Sequence, residues 1–193
     1  MRSARTWYPE NVKVSEKKLF EFEVKSWQLD IGLAAVDTLI DSAMKRNIIN
    51  LLNSQPELDE KACQKPLENW KIAGPLKLEE IIENSDVPIC LNSNELTYVQ
   101  NQEETTNFSG LQFKYSGQIN KDDVYEGIGR RIFEDGDIVE GQCINGKING
   151  YGRTFDISGG YYVGTYKDGQ SHGYGKYVHP DGVTIEEGLW MDD

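Results

Sequence analysis

Histidine and cysteine are scarce in this chain, and long apolar runs are missing. With two histidines, His172 and His179, and three cysteines among 193 residues, few side chains are available to hold a metal or move protons near neutral pH. Cys63, Cys90 and Cys143 are odd in number and lack paired spacing, which argues against a disulfide framework and suits a reducing compartment. No stretch approaches the roughly 20 apolar residues of a membrane-spanning helix. Met1 to Glu10 lacks the apolar centre of a secretory signal. Positive charge is short as well: 20 Lys and Arg face 32 Asp and Glu, for a net charge of −12. That balance works against sequence-independent nucleic-acid binding and against broad adhesion to anionic lipid. The cytoplasm or cytoskeleton is the expected setting.

Catalytic patterns are missing too. His172 falls in a turn-rich stretch and His179 precedes Pro180, with no carboxylate or cysteine at metal spacing around either. There is no nucleophile elbow, phosphate-cradling loop or zinc signature. Gly127-Ile128-Gly129 followed by Arg130 and Arg131 invites a phosphate reading, but it opens no helix, so the mechanism of a dinucleotide site is absent. The expectation is a chain that is not an enzyme, with no cofactor and no metal.

What the chain has in abundance is glycine at a fixed step. Gly127, Gly150 and Gly173 form one column at intervals of 23 residues, Gly129, Gly152 and Gly175 a second, and Gly136, Gly159 and Gly182 a third. Gly117, Gly141, Gly164 and Gly188 keep the step to within one residue. A period of this length signals one supersecondary unit stacked repeatedly. Asn145-Gly146 and Asp168-Gly169 are dipeptides of tight two-residue hairpins, whose central residues both take positive φ. Asp135-Gly136, Ser158-Gly159 and Asp181-Gly182 supply a second turn half a period later, leaving two short strands per unit. In each Gly-x-Gly the two glycines should bare one strand face while the middle side chain points to the other. Ile132, Phe155 and Val178 align as apolar rungs, as do Ile119, Cys143, Tyr166 and Trp190.

In this order and spacing, Tyr115-Ser116-Gly117, Gly150-Tyr151-Gly152, Tyr162-Val163-Gly164 and His172-Gly173-Tyr174-Gly175 resemble the MORN repeat (membrane occupation and recognition nexus). The resemblance covers residues 113 to 193, as three repeats and the opening strand of a fourth. It implies an elongated single-layer sheet of successive hairpins used as a scaffold or tether. Such repeats are found in ciliary radial spokes, in cytoskeletal and division structures, at membrane contact sites and attached to lipid kinases. The chain departs from the pattern where Asp123 fills the slot of Gly146 and Gly169, predicting a distorted first turn. Val139 and Glu186 replace the expected tyrosines, and the last turn is one residue longer.

Ahead of the repeats the periodicity changes. Leu33, Val36, Ile40, Ala43 or Met44, Ile48 and Leu51 recur at helical spacing, predicting one long amphipathic helix over 28–53. Phe20, Phe22 and Val24 fit either a strand or a helical stripe with Trp27 and Ile31. A second helical stretch follows Pro56, then a turn at Gly74-Pro75 and a short helix through Leu78, Ile81 and Ile82. The expected fold is α+β: a mainly helical region over 1–91, a polar linker with room for one strand over 92–110, and the β-hairpin array over 111–193. The helical stripe has two possible seats, its own repeat sheet or a partner's groove.

Two sets of residues are candidates for contact. Arg130, Arg153 and Lys176 follow the Gly-x-Gly pairs at the same step and read either as a solvated basic row or as a contact line for acidic lipid headgroups or an acidic partner. Tyr151, Tyr174, Tyr177 and Trp190 read as rungs of the sheet or as partner contacts. The resemblance implies a scaffold or assembly subunit contacting other proteins of a cytoskeletal assembly, the ciliary axoneme foremost. The alternatives are a membrane-tethering or phosphoinositide-binding module and a regulatory subunit of an enzyme on another chain.

Overall fold

The computed structural model describes residues 42–58, 63–85, 89, 95–105 and 111–191. The upstream part of the expected long helix and the stretch around Phe20 to Val24 lie outside these residues, as does Cys90. Among the described residues three helices precede the sheet: α1 (Ser42–Asn53), α2 (Gln64–Ala73) and α3 (Leu78–Asn84). Eight strands follow: β1 (Leu96–Thr105), β2 (Gln112–Asn120), β3 (Tyr125–Phe133), β4 (Ile138–Ile144), β5 (Lys147–Phe155), β6 (Tyr161–Lys167), β7 (Gln170–Val178) and β8 (Ile185–Trp190). They form one antiparallel sheet in sequence order, a meander with β1 and β8 at its edges.

Local chemistry accounts for the hairpins. Asn145 and Gly146 both have positive φ (50° and 79°), as do Asp168 and Gly169 (52° and 92°), the conformation that turns a right-twisted strand pair in two residues. The first turn is one residue longer, with Asp123 in the left-handed slot at φ 58°. Asn120 Oδ1 steadies it by accepting from the backbone N–H of Asp122 and Val124. Helix α2 ends where Gly74 takes φ 74° and donates its N–H back to Trp70 O, and Pro75 prevents continuation.

The two glycines of each Gly-x-Gly have separate causes, which the alternation argument did not separate. Strands β2, β4 and β6 each carry a register shift next to a ladder glycine, after Gly117, Gly141 and Gly164. The glycines opposite, Gly127, Gly150 and Gly173, take φ of 86°, 96° and 82°, as bulges require. The second column is extended and closely approached. Gly117, Gly129, Gly141, Gly152, Gly164, Gly175 and Gly188 pair consecutively, so an unbroken line of glycines crosses seven strands. Tyr115 lies against Gly129 and Tyr162 against Gly175, filling the strip with rings.

The sheet is apolar on both sides. One face carries Phe113, Tyr115 and Ile119, and further along Ile148, Tyr162, Tyr166 and Trp190. The opposite face receives the helices: Met44, Ile48 and Leu52 of α1 and Leu78 and Ile81 of α3 share a core with Leu96 and Ile128. Trp70 of α2 packs on Ile138 and Phe155. The described part of the first helix is therefore seated on its own sheet. Strand β1 is longer than the four-residue run Leu96 to Val99 and pairs with β2 along its length around an irregularity at Asn101, whose N–H donates to Ser116 Oγ.

Candidate functional site

Cross-strand register builds one row across the helix-bearing face: Ser116, Arg130, Glu140, Arg153, Val163, Lys176 and Glu187, each opposite the next. The sequence therefore placed Arg130, Arg153 and Lys176 correctly in a line. Their surroundings differ from what it predicted. Arg130 and Arg153 are 3% and 2% exposed and close on Glu140, which has no exposure at all. Neither reading of a basic surface row holds for these two side chains, because α2 lies over them.

The geometry is that of a charged clamp. Arg130 Nε donates to Glu140 Oε1 at 2.5 Å and Arg153 Nε to Glu140 Oε2 at 2.6 Å, while Trp70 Nε1 donates to Oε1 at 3.0 Å. Both guanidinium carbons lie near the Trp70 ring, 5.7 and 5.6 Å from its centroid. Two further donors go to helix ends. Arg130 Nη2 donates to Leu51 O in the last turn of α1 at 2.8 Å, and Arg153 Nη1 to Gly74 O just past α2 at 2.6 Å. Two guanidinium groups and one carboxylate leave a single positive charge, and two helix C-termini offer about half a negative charge each. The clamp is thus balanced by the elements it holds. Burial lowers the Arg130 pKa, with the Glu140 charge and hydrogen bond opposing. Arg153 Nη2 is buried without a partner, a local cost within the cluster.

A second contact fixes α3. Ser85, at its end, donates its hydroxyl to Gln142 Oε1 and accepts the Tyr151 N–H at 2.9 Å. Gln142 is a bulge residue, and its counterpart Gln118 accepts the Ile128 N–H at 2.7 Å.

The aromatic candidates divide. Tyr151 packs against the helical core. Trp190 is 5% exposed, with Nε1 donating to Gly175 O, and Tyr177 is part-buried on the opposite face beside it. Tyr174 is 47% exposed on the helix-bearing face, opposite Leu189, which is 36% exposed. Ile185, missed by the sequence reading, is also half exposed on that face. Lys176 is part-buried between them and stands opposite Glu187. His179 pairs with Glu186 at 2.7 Å and is stacked edge-on by Tyr177, and Thr165 Oγ1 donates to His172 O.

The MORN repeat model matches residues 115–138, 140–161 and 162–184, and no curated protein matches the chain. The matches begin at Tyr115 in β2, at Glu140 in β4 and at Tyr162 in β6, so one unit is an even strand, its hairpin and the following odd strand. MORN repeats are generally modules of protein or membrane interaction and typically non-catalytic. Strands β2 to β7 of this chain are three successive MORN repeats.

Proposed function

We propose that the chain is a non-enzymatic scaffold or assembly subunit that binds other proteins, in a cytoskeletal and specifically ciliary assembly. The observation that carries protein over lipid is the closure of the basic row. Arg130 and Arg153, which would have read acidic headgroups, are spent on Glu140 and on two helix ends, leaving Lys176 opposite Glu187 on a chain of net charge −12. A single cation near an acid is a poor match for an anionic bilayer, where each basic residue contributes about 1 kcal/mol. The ciliary axoneme is the location we propose, on the resemblance to repeats found in radial spokes.

Liposome flotation with phosphoinositides, beside salt extraction of cytoskeletal fractions, tests the reading. Retention in a salt-resistant cytoskeletal fraction without flotation is expected, because an apolar interface responds weakly to ionic strength. Flotation at moderate salt that a Lys176→Glu change abolishes overturns it in favour of a membrane module.

A further inference from the structure

We propose that the N-terminal residues 1–41 of this same chain cover the helix-bearing face of β6, β7 and β8. In this arrangement the stripe Phe20, Val24, Trp27 and Ile31 lies on Tyr174, Ile185 and Leu189, and the basic residues of 1–18 face the acidic end of the sheet. The contact is internal to one chain, so it stands or falls independently of the scaffold reading.

The need for a cover comes from equivalent positions within the repeats. Residues 128, 151 and 174 recur at the same step and on the same face, as do 130, 153 and 176. Ile128 and Tyr151 belong to the core under the helices, and Arg130 and Arg153 hold the ends of α1 and α2. The third rung has the same chemistry: Tyr174, Ile185 and Leu189 are 47%, 50% and 36% exposed. The apolar surface also runs unbroken from the covered part through Phe155, Tyr161, Val178 and Ile185 in register. Nor is this face bare. Tyr174 donates its hydroxyl to Glu187 at 3.0 Å, and Gln170, His172, Tyr174 and Glu187 all have further interactions, so none of them is free.

Two observations point to the chain's own N-terminal residues as the occupant. The first is the tether. Residue 41 adjoins Ser42, the first residue of α1, which shares a core with Ile128 of β3 on this face. Strands β3 and β7 are four spacings apart, roughly 19 Å. Residues 32–41 span about 15 Å as a helix and about 33 Å extended, which brackets that distance. A segment held this way acts at an effective concentration on the order of millimolar, which gives it precedence over a dilute separate partner.

The second observation is charge. Residues 1–18 hold five Lys and Arg against two Glu, a net of +3 on a chain of −12. After Lys176 the chain holds five Asp and Glu and neither Lys nor Arg. The basic start complements the acidic end, whereas a second copy paired along β8 would set like charges together. Phe20, Val24, Trp27 and Ile31 recur at helical spacing, and each element seated on this face among the described residues is a helix.

The test places p-benzoylphenylalanine at Tyr174 or at Leu189 in the full chain, with crosslinked peptides mapped by mass spectrometry in the purified protein and in its own cells. Expected are crosslinks within one molecule to residues 20–31, in a proportion unchanged by tenfold dilution. Their yield should fall about tenfold or more in Val24→Asp and in Trp27→Asp, as befits loss of a central anchor. A cooperative melt in each variant verifies that the sheet is folded, and Val24→Ile, which keeps the stripe apolar, should keep the yield. Crosslinks that join two copies and fade on dilution overturn the proposal, as do crosslinks confined to other segments or a yield unmoved by both Asp variants. Crosslinks in cells to another protein in place of residues 20–31 overturn it too, and leave the scaffold reading standing.

Discussion

At equivalent rungs of the sheet, Ile128 is wholly buried, Tyr151 packs under the helical region and Tyr174 is 47% exposed. One repeat chemistry thus meets two environments, and the difference lies in what sits on top. Under α1, α2 and α3 a row of alternating charge is desolvated and becomes a clamp. Over β6 to β8 its continuation, Val163, Lys176 and Glu187, stays near water. Buried ion pairs contribute little over an apolar substitute but are very costly to break, whereas exposed pairs contribute almost nothing either way. The same residue types should therefore respond differently to mutation in the two halves.

The largest effect is expected from removing the cover. A fragment beginning at Glu95 keeps all eight strands but exposes Ile128, Ile138 and Phe155 and returns the clamp to solvent. It should aggregate or melt well below the full chain in size-exclusion and thermal scans. A stable, soluble monomer would show that the helices add nothing to the sheet. Next comes Glu140→Ala, which strands two buried guanidinium groups and should cost about 3–5 kcal/mol in urea unfolding. Glu187→Ala, at the open end of the same row, should fall within about 0.5 kcal/mol of the parent. Equal costs for the two would remove the distinction between the halves.

Smaller is the effect of side chains on the glycine line. A β-carbon at Gly152 would lie 2.5 Å from Glu140 O and 2.7 Å from Ile148 Cδ1, so Gly152→Val should cost about 1–3 kcal/mol by overpacking. An unchanged midpoint would mean the neighbouring strand yields freely. The smallest effects are titrations, and they have opposite signs. Burial raises the pKa of Asp137, opposed by its bond from the Ile157 N–H, while the Thr184 hydroxyl, with backbone N–H groups, lowers that of Asp181 to about 2. A raised carboxyl pKa favours the folded state at low pH, and that contribution is lost as pH rises through the interval just above the ordinary carboxylate value. A depressed one is fully present above the ordinary value and is lost as pH falls towards about 2. Asp137→Asn and Asp181→Asn should flatten stability in those respective windows, and carboxyl NMR titrations check the directions directly.

The sequence was informative wherever structure depends on neighbours in the chain. Asn145-Gly146, Asp168-Gly169 and the 23-residue step fix hairpins because a turn's dihedrals are local. The same reading could not foresee the fate of Arg130 and Arg153, since their burial depends on Trp70, Leu51 and Gly74, which lie 60 to 83 positions away along the chain. It also gave the two glycine columns one cause, because a bulge is created by a partner strand's register. Strand β1 was legible only in part, as Asn101, Gln102, Glu103 and Glu104 have no alternation and are held by pairing with β2.

The clamp also dictates an order of events in time. Hairpin contacts span few residues and form quickly, whereas the bonds from Arg130 to Leu51 and from Arg153 to Gly74 each close a separation of 79 residues. During synthesis at about 5–20 residues per second, the carbonyl of Leu51 emerges roughly 4–16 seconds before the guanidinium that will hold it. Until β1 and β2 have followed, Met44, Ile48 and Leu52 have no sheet to rest on. The newborn chain is thus at its most adhesive before its repeats exist, and a chaperone that shields α1 should raise the yield of folded protein more than one acting on the strands.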